Sequence, residues 1–99
     1  MSQAIEDVVF ERERQKTVER WSKEHDDQHV NGELARAAAC YAYEAGRTDY
    51  QRDIDGNEPP MMWPWSAEWW KPTNRRRDLI KAGAMILAEI ERIDRANQD

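Results

Sequence analysis

The sequence predicts an all-α protein in which three principal helices form a small bundle, with a Trp/Pro-rich loop between the second and third. Three observations carry that expectation. Apolar residues between Asn74 and Ala96 recur at helical spacing, an alanine-rich run closes at Gly46, and no segment alternates as a half-buried strand would. Ninety-nine residues allow one domain, 1–99, with a modest core. A chain of this size buries about 60–65% of the surface its unfolded form exposes, which excludes a cleft between two domains. A composition of 39% hydrophobic and 35% charged residues fits a helical protein with strongly solvated outer faces.

The first helix is expected over about residues 2–21, capped by Ser2 and free of Gly and Pro. Ile5, Val8 and Val9 begin an apolar stripe that continues onto Arg12, Lys16 and Glu19, while Phe10, Thr17 and Trp21 form a second, offset line. Such a helix is either partly buried in one chain or meets a partner chain, so a homo-oligomer is expected. The second helix, about 32–45, gathers Leu34, Ala35, Ala37, Ala38, Tyr41, Ala42 and Ala45 on one side, with Gly46 placed as a left-handed C-cap. Residues 47–73 are rich in turn formers. Pro59, Pro60, Pro64 and Pro72 forbid a long helix there, and Trp63, Trp65, Trp69 and Trp70 argue for an ordered loop over one end of the core, with one helical turn around Ser66 to Trp70. The third helix, about 74–96, starts at Thr73 or Asn74. It places Leu79, Ala82, Gly83, Ile86, Ile90 and Ile93 on a common face, antiparallel to the second helix.

A net charge of −5 argues against broad nucleic-acid binding. Cys40 stands alone, which excludes an internal disulfide and a multi-thiolate zinc cluster, and reads as a small buried filler. The first twenty residues carry a Glu/Arg-rich block and no apolar run, and no stretch approaches the roughly 18 apolar residues of a membrane span. The expected setting is the cytoplasm, away from a membrane.

Two constellations could carry chemistry. The string EHDDQH places His25 and His29 four residues apart, the spacing of the zinc-peptidase HExxH motif, but with Asp26 at the position of its Glu. From His25 to Glu33 the chain would span about 12 Å of helix, too far for one zinc ion. A hard cation, Mg²⁺ or Mn²⁺, suits Asp26, Asp27, Glu33 and, across the helix pair, Glu89. The same Asp residues also read as helix caps and Glu89 as a solvated side chain. The second constellation comprises Lys71, Arg75, Arg76 and Arg77 at the start of the third helix, with Lys81 one turn on. An anion would be welcome at that helix end. Trp69 and Trp70 could stack a base, or serve as core.

The order of ERERQ, Trp21, EHDDQH, GELARAAACYA, WPW, EWWKP and RRDLIKAGAMILAEIERIDR resembles small helical proteins recurrent in tailed-phage and prophage genomes. That resemblance implies the cytoplasm of a bacterial host and interference with host defence or metabolism. More remotely, the chain is similar to the all-α MazG-like nucleotide pyrophosphohydrolases, which hold Mg²⁺ with an ExxE pair and a later ExxD pair. Here Glu33 is followed by Arg36 and Glu89 by Arg92, and the ExxD strings present are Glu24 to Asp27 and Glu91 to Asp94. Two functional expectations follow. One is a Mg²⁺-dependent pyrophosphohydrolase, in which Lys81 or Arg77 neutralises phosphate charge. The other is a non-catalytic protein that sequesters a signalling nucleotide or binds a host protein.

Overall fold

Five α-helices and one 3₁₀ turn make up the protein, whose computed structural model describes residues 1–98. Helix α1 (Gln3–Thr17) starts where the Ser2 side chain accepts from the Ile5 amide. It stops four residues earlier than the absence of Gly and Pro suggests. Arg20 takes a left-handed φ of 61° and the Trp21 amide donates back to the Gln15 carbonyl, turning the Trp21 ring inward to stack on His25. Helix α2 (Lys23–Asp27) follows at once, because the Ser22 side chain accepts from the His25 amide. EHDDQH therefore splits between a five-residue helix and the turn after it.

Helix α3 (Glu33–Ala45) begins at Gly32, whose φ of 83° favours glycine. It ends at Gly46 as expected, but Gly46 has φ −87° and is right-handed, its amide reaching the Ala42 and Tyr43 carbonyls. The 47–73 segment is more regular than expected. Thr48 and Gln51 form a reciprocal capping box that starts helix α4 (Asp49–Asp55), and a 3₁₀ turn occupies Ala67–Trp69. Helix α5 (Arg75–Ala96) is capped by the Asn74 side chain accepting from the Arg77 amide.

Helices α3 and α5 pack antiparallel: Tyr41 meets Lys81, whereas Glu33 at the start of α3 lies near Arg92 toward the end of α5. Their contact consists mainly of small residues, Ala37, Ala38 and Cys40 against Ala82, with Met85 filling the gap. Burial pushes the Cys40 thiol up, consistent with a packing role. Trp70 stacks on Tyr41 at 4.6 Å and Trp63 meets both rings edge-on, so two of the loop tryptophans close the core. Their indole N–H groups are satisfied by the Gly56 and Ser66 carbonyls at 2.9 and 3.1 Å. Helix α1 crosses α5 where Val8 lies against Gly83; a β-carbon at Gly83 would sit 3.2 Å from the Val8 side chain.

The buried face of α5 is Asp78, Ile80, Ala82, Ala84, Met85 and Ala88. Leu79, Ile86, Ile90 and Ile93, expected on the core side, are about half exposed. The helix is apolar on two faces, and the alanine face of α3 takes the side carrying small residues because only that side permits close approach.

Candidate functional site

On the side of α5 that bears Lys81 and Met85, helices α1, α2 and α3 and the tryptophan loop enclose a cavity of about 500 Å³. That lies within the roughly 300–1,000 Å³ range of small-molecule sites. Four tryptophans, Tyr41 and two histidines form one part of its wall, and polar side chains and Met85 the rest. Trp65 stands at its centre, 6.2 Å from Trp21, 5.3 Å from His29 and 5.4 Å from Trp63, each at a steep angle. His25 lies parallel to Trp21, 5.6 Å between ring centres, and 4.8 Å from His29. Tyr41 and Trp63 are buried, whereas Trp69 is 58% exposed and forms the rim.

Polar groups enter from three elements. Helix α1 contributes Glu11, Arg14, Gln15 and Glu19. Burial pushes the Glu11 carboxyl up, but hydrogen bonds from Arg14 and Arg77 outweigh that and hold it below its ordinary value. Arg14 grips Glu11 through two bonds of 2.9 Å and reaches Glu19 at 2.9 Å, while Arg77 meets Glu11 at 2.7 Å. Two arginines thus neutralise two carboxylates. Gln15 is 1% exposed, and its side-chain carbonyl Oε1 is buried with no hydrogen-bond donor among the described residues.

Lys71 and Lys81 are placed differently. Lys81 Nζ donates to the Lys71 carbonyl at 2.7 Å and lies 5.4 Å above the Tyr41 ring; Lys71 Nζ lies 5.8 Å from the Trp69 ring centre. Among the described residues, neither ammonium has a carboxylate at ion-pair distance. Burial pushes the Lys81 ammonium below its ordinary value, and the nearby Arg77 charge adds to that. A partly desolvated cation without a counter-ion attracts an anion.

Five of the sequence-derived candidates meet at this cavity: His25, His29, Trp69, Lys71 and Lys81. The others lie elsewhere. Trp70 is core. Arg75 pairs with Asp49 at 2.6 Å, Arg76 with Asp7 at 2.6 Å, and Arg77 with Glu11, so the basic run is occupied by the protein's own carboxylates. The proposed metal ligands are also dispersed. Asp26 is fully buried against Arg12 at 2.7 Å and His25 at 3.1 Å, and Asp27 pairs with Arg95 at 2.8 Å. Glu33 accepts from the Asn31 amide with His29 at 3.5 Å, and Glu89 pairs with Arg92 at 2.6 Å. Among the described residues no three His, Cys, Asp or Glu side chains converge on one point. As placed, these carboxylates turn toward arginine, histidine or backbone partners and not toward a common point.

Glu11, Arg14, Gln15 and Tyr41 were not anticipated. Glu11 and Gln15 stand four apart on the side of α1 away from Val9, and Tyr41 is the one large ring facing inward from an alanine-rich helix. Both are visible in hindsight as departures from their surroundings.

Comparison of the chain with protein-family models, with curated proteins and with solved structures found no match. The likeness to phage proteins and to MazG-like enzymes rests on the motifs quoted above.

Proposed function

We propose that the protein binds a planar, anionic small molecule of the nucleotide class, holding it in the aromatic cavity without a metal and without turnover. One observation carries this reading: two lysines with no carboxylate at ion-pair distance among the described residues share a cavity with four tryptophans. Tryptophan faces accept any nucleobase by stacking, worth about 1–3 kcal/mol per base. Lys81 and Lys71 supply the charge that a phosphate requires, and a charge-assisted hydrogen bond in a partly dry site is worth about 1.5–3 kcal/mol. Gln15 offers an amide for the edge of a base. Of the two expectations raised by the sequence, this supports sequestration over pyrophosphate hydrolysis, because Asp26, Asp27 and Glu89, three of the four carboxylates named for hydrolysis, are tied to arginines. In a phage-infected bacterial cell, such a protein would lower the free concentration of its ligand.

The test is calorimetric titration with ATP, GTP, AMP and GMP in the presence of EDTA, alongside the bare nucleosides and inorganic phosphate. At least one nucleotide should bind, and both its nucleoside and phosphate alone should bind at least tenfold more weakly. Trp69→Ala and Lys81→Met should each weaken binding by about 10-fold or more. Binding that requires Mg²⁺, or no nucleotide binding at millimolar concentration, would overturn the reading.

A further inference from the structure

The face of α5 opposite the cavity is a second feature that the ligand site leaves unexplained. Leu79, Gly83, Ile86, Ile90 and Ile93 recur at alternating intervals of four and three residues, the seam spacing of paired helices. The four large side chains are 53%, 49%, 49% and 43% exposed, and Ile5 and Val9 of α1 are 50% and 47% exposed. Because Val8 lies on Gly83, the α1 residues adjoin the α5 stripe and the face is continuous. A helix that is apolar on both sides normally has both sides covered.

The chain's total surface is consistent with a second copy as the cover. The chain exposes 6514 Å². A compact monomer of 11.7 kDa exposes about 5,900 Å². The excess, about 600 Å², approaches the roughly 800 Å² that each partner contributes to a standard interface. The radius of gyration, 13.8 Å, likewise exceeds the value of about 12.6 Å for a compact domain of this length. The ends of the stripe carry Arg76, exposed but already bonded to Asp7, and exposed Asp94.

We propose that this face is a homodimer interface in which α5 packs antiparallel on the α5 of a second copy, about a twofold axis near Ile86. That arrangement sets Leu79 against the partner's Ile93. It also brings Arg76, whose guanidinium can keep Asp7 and take a second carboxylate, within two residues, about 3 Å of helix rise, of the partner's Asp94. Lys81 and Met85 point to the other side of α5, so both cavities stay open in the dimer.

Light scattering coupled to size-exclusion chromatography tests this on the full chain, at concentrations on the order of 100 µM, well above a micromolar dissociation constant. Wild type should run at twice the chain mass of 11.7 kDa, and Ile86→Glu/Ile90→Glu at the single-chain mass with an unchanged helical circular-dichroism spectrum. A wild-type monomer, or a double variant that stays dimeric, overturns the proposal. Should the double variant lose its helical spectrum, Ile86→Cys decides: residues at a twofold axis face each other and should form a disulfide-linked dimer on mild oxidation. That disulfide supports the proposal if the exposed control Ala35→Cys does not cross-link, and failure of Ile86→Cys to cross-link overturns it.

Discussion

Replacing Arg12 by Met should cost far more stability than its position on a mostly exposed helix implies. Arg12 is 4% exposed; its Nη2 meets the fully buried Asp26 at 2.7 Å and its Nε meets Glu91 at 2.9 Å. The substitution keeps most of the aliphatic stem but strands the Asp26 carboxylate without its cation, and breaking a buried pair from one side costs about 3–5 kcal/mol. Against a total of about 5–15 kcal/mol for a small domain, that is a large share. With a urea slope of about 1–3 kcal/mol per molar, the unfolding midpoint should fall by on the order of 2 M. Arg95→Met provides the contrast. It also removes an arginine that pairs with a carboxylate of α2, but Asp27 is 49% exposed and water replaces the lost partner, so the loss should stay within about 1 kcal/mol. Arg12→Met/Asp26→Leu should recover much of the lost stability because no charge remains buried. Urea titration followed by circular dichroism measures all three. A loss below about 1 kcal/mol for Arg12→Met would refute the argument that this pair fastens α2 to the bundle.

Three further outcomes are expected. The Glu11 carboxyl is held below its ordinary 4.5 in the folded state, so it contributes stability above that pH which is lost as pH falls through the lower folded value. Glu11→Gln should therefore flatten the acid side of a thermal-melt pH series, and an unchanged slope would contradict this. Gly56→Ala should destabilise by about 1–3 kcal/mol, because a β-carbon there would overlap the Arg52 carbonyl oxygen and press on Glu44 Oε2 at 3.1 Å; thermal unfolding tests it. If Lys81 holds the ligand's anion, nucleotide affinity should decline at a pH below the ordinary lysine value of 10.5, since burial lowers the pH at which its charge is lost. Calorimetry across the alkaline range should show that decline in wild type and its absence in Lys81→Met.

The extents of helices α3 and α5 were legible because their end signals are local. The capping box at Thr48 and Gln51 was equally local, yet the prolines beyond it drew the whole of 47–73 into one loop. The end of α1 was not legible, since Trp21 turns inward toward Trp65, 44 residues away in the chain. Helical spacing alone could not choose between the two apolar faces of α5, because both satisfy a 3.6-residue period. At the site, His25, His29, Trp69, Lys71 and Lys81 were recognisable by chemical type. Whether a carboxylate was free was not, because Arg12 to Glu91 and Arg52 to Asp78 are separated by 79 and 26 residues.

A division of labour between the two kinds of cation follows from that pairing. Each buried carboxylate is matched by arginine: Glu11 by Arg14 and Arg77, Asp26 by Arg12, Glu44 by Arg47, and Asp78 by Arg52. A planar fork that can bond two partners at once suits this work, and Arg52 shows it by joining the Glu44 carbonyl at 2.6 Å to Asp78 at 3.0 Å. With a core built largely from alanine and tryptophan, these directional pairs set the register of helices whose small side chains would slide. Lysine is absent from all of them. Lys71 and Lys81, compact charges on flexible stems, instead project into the aromatic cavity, where an ammonium can follow an anion that the arginine network would bind only by surrendering a structural partner. Lys81→Arg therefore separates the two roles. It retains the charge but replaces the compact ammonium with a bulky fork between Tyr41 and the Lys71 carbonyl. Stability should stay close to wild type while nucleotide affinity falls by about 10-fold. Equal affinity for the two cations would mean that charge alone, without shape, governs the site.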